Sequence, residues 1–149
     1  MTPFQIAGFI VCFLVFATAW LKGGHPERFG VTANVACWLI SVFASALTIG
    51  GVAVGVALVD VALTAVFVGM ALRGERWWPF AAAAFMILTL LVYVAVIVTP
   101  ELDRRADYAA RLGLYLCVVA TLLIGVVERW LAGEPPVSAE TRWRPRSRP

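Results

Sequence analysis

Few residues in this chain could do chemistry, and the clearest is Asp60, set in the apolar stretch VALVDVALTAV from Val56 to Val66. If that stretch crosses a bilayer, a carboxylate at mid-depth costs at least about 2.5 kcal/mol, and such groups face a bundle interior or an aqueous cavity. Two roles fit. In one, Asp60 is a proton or cation site of a small transporter or channel. In the other it is neutral and ties helices together, donating a hydrogen bond worth about 0.6 kcal/mol to a hydroxyl or carbonyl. The second role leads on sequence alone, because transport routes use several polar groups or broken helices. Here the spans offer one acid, no second buried charge of clear sign and no interior proline.

Other chemistries find little material. Cys12, Cys37 and Cys117 sit in apolar segments without a C-x-x-C pair, and His25 is the only histidine. Zinc, haem and disulfide frameworks need several converging ligands, so neither a metal nor a cofactor is expected. The stretch TPELDRRADYAARLG mixes Glu101, Asp103 and Asp107 with Arg104, Arg105 and Arg111. It reads as a solvated helix start with charge pairs three and four residues apart, too short to wall a catalytic pocket. His25 and Glu27, in GGHPERFG, read as solvated connector residues. A nucleophile, base and metal constellation is missing, so the chain is not expected to be an enzyme.

The elements that must position Asp60 follow from composition. Of 149 residues, 62% are hydrophobic and 14% charged, which marks a polytopic membrane protein in one small domain with no room for a separate catalytic unit. A helix needs roughly 20 apolar residues, and at least about 17, to cross the hydrocarbon. The spans expected are 4–21, 31–49, 52–72, 77–98 and 109–131. The run Val31 to Leu72 is about twice one crossing and must fold back, with Gly50-Gly51 as the break. Pro26, Pro79 and Pro100 fall at ends or in connectors, which supports these boundaries. Ala17-Thr18-Ala19 has the spacing of a cleavage site, but no basic segment precedes it, so the first span is expected to be permanent.

Charge sets direction. Five spans put Lys22, Arg28, Arg73, Arg76, Arg129, Arg142, Arg144, Arg146 and Arg148 on one side and Arg104, Arg105 and Arg111 on the other, nine against three. Four spans, with part of Val31 to Leu72 lying on the surface, give seven against five. The positive-inside rule prefers the first, with the N-terminus outside and the C-terminus cytoplasmic. Trp20, Trp77, Trp78 and Trp130, with Arg73 and Arg76, then fall at the cytoplasmic boundary, where amphipathic rings and basic anchors belong.

A hairpin at Gly50-Gly51 brings Asp60 level with Ser41, and the fifth span brings Tyr115 to a similar depth with Arg111 one turn nearer the surface. These three are the partners expected for Asp60. Gly51 and Gly55, continuing to Ala62 and Gly69, face a four-residue strip of Ala33, Cys37, Ser41 and Ser45 that would let the two backbones approach.

The run Asp60 to Pro79, DVALTAVFVGMALRGERWWP, resembles a pattern in small bacterial inner-membrane proteins: an acid in a span, then A-L-R, then R-aromatic-W-P. The resemblance implies that Asp60, Arg73, Arg76, Trp78 and Pro79 belong to a recurrent arrangement where one membrane helix ends and the next begins. It implies a bacterial inner membrane and brings no activity.

The tail from residue 134, EPPVSAETRWRPRSRP, cannot bury a core. Arg142, Arg144, Arg146 and Arg148, with Trp143 as an apolar anchor, suit anionic lipid headgroups, at about 1 kcal/mol per basic residue near the surface. They match no nucleic-acid-binding fold. The sequence therefore points to an all-α bundle of five transmembrane helices. Its leading expected role is a non-enzymatic accessory or scaffold subunit of a larger membrane complex, and the alternative is a small proton- or ion-coupled transporter or channel using Asp60.

Overall fold

The computed structural model describes residues 3–49, 53–74, 76–99 and 104–134, with backbone alone at 3–5 and 104. The Gly50-Gly51 break, most of the 99–103 connector and the tail carrying Arg142, Trp143, Arg144, Arg146 and Arg148 lie outside the described residues. Within them the chain is all-helical: α1 (Pro3–Lys22), α2 (His25–Ala44), α3 (Val54–Arg73), α4 (Trp78–Val98) and α5 (Arg104–Leu131). Three helices, α3, α4 and α5 from Arg105, are long and apolar enough to cross a membrane. α1 contributes the shorter apolar stretch Ile6–Lys22.

α2 begins six residues before the expected Val31, at His25, and the connector shrinks to Gly23 and Gly24. Pro26 falls in its first turn, where the missing N–H is no loss. Glu27 turns back and accepts the Gly24 N–H at 2.7 Å, the reaching-back half of a capping box. Space at this turn is tight, since a Cβ on Gly24 would lie 2.7 Å from the Arg129 guanidinium carbon. At its other end α2 stops at Ala44, and the Ser45 N–H closes the last turn onto the Ser41 carbonyl at 2.8 Å. α5 starts at Arg104, five residues before the expected span at 109, and so includes Asp107 and Tyr108; Asp107 in the first turn complements the helix dipole.

The helices form a closed ring. α4 packs between α3 and α5, α1 lies on α5, α2 lies on α3, and α2 touches α1 and α5 lightly. One end of the ring holds Lys22, His25, Arg73, Trp78 and Leu131; the opposite end holds Ala44, Val54, Val98 and Arg104. The first end is solidly packed around Trp78, which is 0% exposed. Phe67 meets its indole edge-on at 6.3 Å. A Cβ on Gly125 would stand 2.6 Å from that indole and one on Gly30 3.0 Å, so two glycines make the room it fills. Burial of Trp78 corrects its expected place at the lipid boundary. Its N–H has a partner inside the bundle, and a buried indole with that need met is more stable there than at a surface.

Trp20, Trp77 and Trp130 are exposed, as is Arg73. Arg76 is tied to α5 instead of standing free: it pairs with Glu128 at 3.7 Å and with Glu134, which also lies 3.5 Å from Arg129.

The small-residue strip is narrower than its spacing suggests. Gly55 lies against α2, where a Cβ would come within 2.9 Å of the Ala44 carbonyl carbon, and its N–H donates to the Leu47 carbonyl at 3.2 Å. Ala33 and Cys37 pack against the core. Ser45, however, is exposed and bonds the Val42 carbonyl at 2.7 Å. Ala62 is exposed too, and a Cβ on Gly69 would meet nothing. α3 instead buries Gly55, Val59, Leu63, Phe67 and Ala71, a stripe repeating every four residues. Gly51 lies outside the described residues.

Candidate functional site

Towards the end opposite Trp78 the ring opens into a cavity of about 350 Å³ to which all five helices contribute. Phe9 comes from α1, Asn34, Cys37, Trp38 and Ser41 from α2, Asp60 from α3, Thr89 and Tyr93 from α4, and Tyr108, Arg111 and Tyr115 from α5. Local sequence explains the shape. Ala82, Ala83, Met86, Thr89 and Tyr93 line the buried side of α4, so side chains grow from small to long and polar as the helix leaves the packed end.

Asp60 projects from the second turn of α3, and its Oδ2 accepts a hydrogen bond from the Tyr93 hydroxyl at 2.8 Å. The Arg111 guanidinium lies over the Tyr93 ring, 4.7 Å from its centroid, and forms an ion pair with Asp107 one turn earlier on α5. An acid, a phenol, a guanidinium and a second acid thus form one chain across α3, α4 and α5. Charge alternates along it, and Asp107 balances Arg111, which leaves Asp60 as the acid without an ionic partner of its own among the described residues.

Asn34 forms the inner limit of the polar lining. It is 1% exposed, its Nδ2 donates to the Gly30 carbonyl at 2.8 Å, and its Oδ1 accepts from no group among the described residues. A buried acceptor left unmet costs about 1–3 kcal/mol. Phe9 and Trp38, edge to face at 6.4 Å, and Tyr108 are each about half exposed and frame the opening.

The expected partners of Asp60, namely Ser41, Tyr115 and Arg111, therefore share its cavity, while its hydrogen bond goes to Tyr93. That residue was missed. One signal could have found it: Tyr93 stands five residues from the end of α4 and Asp60 six from the start of α3, so both lie at similar depth on adjoining helices. Asn34 was missed too, although it is the one asparagine of the chain and lies in an apolar run. The third omission is Glu27, expected to be a solvated connector residue. It is 0% exposed, and besides capping α2 it accepts the Trp78 indole N–H at 3.1 Å. The interior thus holds a second acid, and its position at the packed end makes it a structural group.

A larger groove, about 610 Å³, runs between α2, α3 and the start of α4 at the Trp78 end, with His25, Arg73 and Arg76 on its rim. Its polar groups stay at the rim, with Arg76 already paired, so the Asp60 cavity is the better candidate. Among the described residues no group of three or more His, Cys, Asp or Glu could hold a metal ion. Compared with known proteins, the chain matches no family model, no curated protein and no solved structure.

Proposed function

We propose that this chain is a five-span integral protein of a bacterial inner membrane, N-terminus outside and C-terminus cytoplasmic, of the small transporter or channel class. Asp60 is the group that carries a proton or small cation. The observation behind this reading is the convergence of all five helices on one cavity in which Asp60, Tyr93, Arg111, Asn34 and Ser41 meet. Several polar groups along one route are what transport needs, and their apparent scarcity in the sequence was the argument against it. Asn34 and Tyr93, both buried on the cavity lining, supply polar groups that the linear reading lacked. Large apolar side chains exposed on every helix, among them Phe13, Phe43, Leu58, Leu91 and Leu123, suit a lipid surround. The resemblance of Asp60 to Pro79 supports the bacterial inner membrane. The basic tail would then lie among anionic headgroups on the cytoplasmic side.

The second reading is a non-enzymatic accessory or scaffold subunit. The outward side of α2 favours it, for Trp38, Leu39, Val42 and Phe43 stand exposed there on a helix that touches two of its neighbours only lightly. Such a face would fit a larger membrane complex as well as lipid.

One variant separates the two. In proteoliposomes carrying an internal pH-sensitive dye, an imposed membrane potential should drive proton flux through the wild-type chain, and Asp60→Asn should abolish it. The amide keeps hydrogen-bonding capacity, so the variant should remain folded and assembled. Unchanged flux in Asp60→Asn overturns the transport reading and leaves the scaffold, as does a wild type that passes neither protons nor, with a cation-sensitive dye in the same vesicles, small cations.

A further inference from the structure

Most of the cavity's unused hydrogen-bonding capacity is acceptor capacity. Asp60 offers acceptor lone pairs on two oxygens, and the Tyr93 hydroxyl takes one position on Oδ2. Asn34 Oδ1, in a residue 1% exposed, is an acceptor with nothing donated to it among the described residues. The one cation on the lining, Arg111, lies over the Tyr93 ring and has its charge balanced by Asp107, although its Nε is a donor with no acceptor among the described residues. Asp60 is the charge on the lining that no cation balances among those residues, and a donor bearing positive charge would meet it.

The remaining wall is aromatic. Phe9, Trp38 and Tyr108 frame the opening, and Tyr115 lies within. Aromatic faces attract ammonium groups, with greater effect once water is removed. About 350 Å³ is at the small end of ligand cavities, enough for an ammonium head with a short apolar body.

Resting on the reading of Asp60 as a cation-carrying group, we infer that the cavity binds a small amphiphilic organic ammonium, its N–H groups donating to Asp60 and Asn34 and its apolar body lying against Phe9 and Trp38. The half-exposed Phe9–Trp38 pair sits where α1 and α2 touch lightly, so the apolar body can enter between those two helices.

Three compounds with one body and different heads test this: 4-phenylbutylammonium, 4-phenylbutanol and 4-phenylbutyrate. Binding to the full chain in nanodiscs is measured by equilibrium dialysis, with empty nanodiscs subtracted. The ammonium should bind at least about tenfold more tightly than the alcohol, a ratio that corresponds to one well-formed charged contact, and the butyrate should not bind. Asp60→Asn should erase the preference for ammonium over alcohol. Asn34→Leu, which leaves the acid in place, should weaken the ammonium about fivefold and the alcohol little. If Asp60→Asn does not fold, the Asn34 variant carries the test.

Equal binding of ammonium and alcohol would show an apolar groove only, and tighter binding of butyrate an anion site at Arg111; either overturns the inference. So does a folded Asp60→Asn that still prefers the ammonium. Because dialysis uses no gradient, its result is independent of transport. Ammonium binding without flux of protons or small cations sinks the transport reading alone, and flux without ammonium binding sinks this inference alone.

Discussion

Glu27 is the residue on which two helix starts depend. One oxygen caps the Gly24 N–H at 2.7 Å and the other holds the Trp78 indole N–H at 3.1 Å, so a single side chain joins the first turn of α2 to the first residue of α4. Each N–H left unpaired in that interior would cost about 1–3 kcal/mol. Glu27→Ala strands both and should lower the melting temperature in detergent sharply, whereas Glu27→Gln keeps one acceptor, strands one N–H and should lower it about half as much. Circular dichroism melts of the two variants check this, and equal losses would show that the charged carboxylate with both its oxygens, and not the number of acceptors kept, sets the cost. Asp60 belongs to the same scale, but its surroundings differ in kind. Glu27 has both oxygens engaged and is 0% exposed, while Asp60 lines a cavity with acceptor capacity to spare. That contrast makes one acid structural and the other available for binding.

At the scale of elements, the glycines show which helix contacts are sterically fixed. Gly125 on α5 and Gly30 on α2 border the Trp78 indole, and Gly55 on α3 borders the end of α2. Gly125→Ala places a Cβ 2.6 Å from Trp78 Cδ1, and because that indole is fully buried and held by its hydrogen bond to Glu27 it should destabilise by about 1–3 kcal/mol. Gly69→Ala meets nothing and should melt at or above the wild-type temperature, since alanine is the better helix former. A scan of both variants in one detergent tests the pair. The contrast also marks how far sequence could reach. Apolar lengths and proline positions placed α3, α4 and most of α1 within a few residues, because those signals are local. Spacing alone could not separate Gly55 from Gly69, because the neighbour decides whether a glycine is required. The start of α2 was illegible for a similar reason. Pro26 fits a connector and a first helical turn equally well, and Glu27 becomes a buried group only when Trp78 arrives from 51 residues away. Asp60 was legible as an acid in an apolar run. Tyr93 was not, because a tyrosine among apolar residues looks like packing until its hydroxyl is seen to face an acid.

At the scale of the whole molecule, the question is how α2 could enter a bilayer, since its first turn carries His25, Glu27 and Arg28 and its middle carries Asn34. Glu27, Gly30, Val31 and Asn34 are its buried residues, one side of the helix, while Val35, Trp38, Leu39, Val42 and Phe43 point outward. Polar groups turned inward find partners or a cavity, so α2 would be carried across by its neighbours more than by its own hydropathy. In the topology proposed above, α2 and α3 are separate crossings, with Ile49 outside and the ends of α3 and α5 in the cytoplasm. In a chain with Cys12, Cys37 and Cys117 replaced by Ser, Ile49→Cys and Leu131→Cys report the two sides. A membrane-impermeant thiol reagent should label position 49 in intact cells whose outer membrane has been made leaky, and position 131 only in inverted vesicles. Four crossings with the N-terminus kept outside would instead put the end of α5 outside. Labelling of position 131 from the outer face would therefore break the nine-to-three charge separation on which the proposed orientation rests.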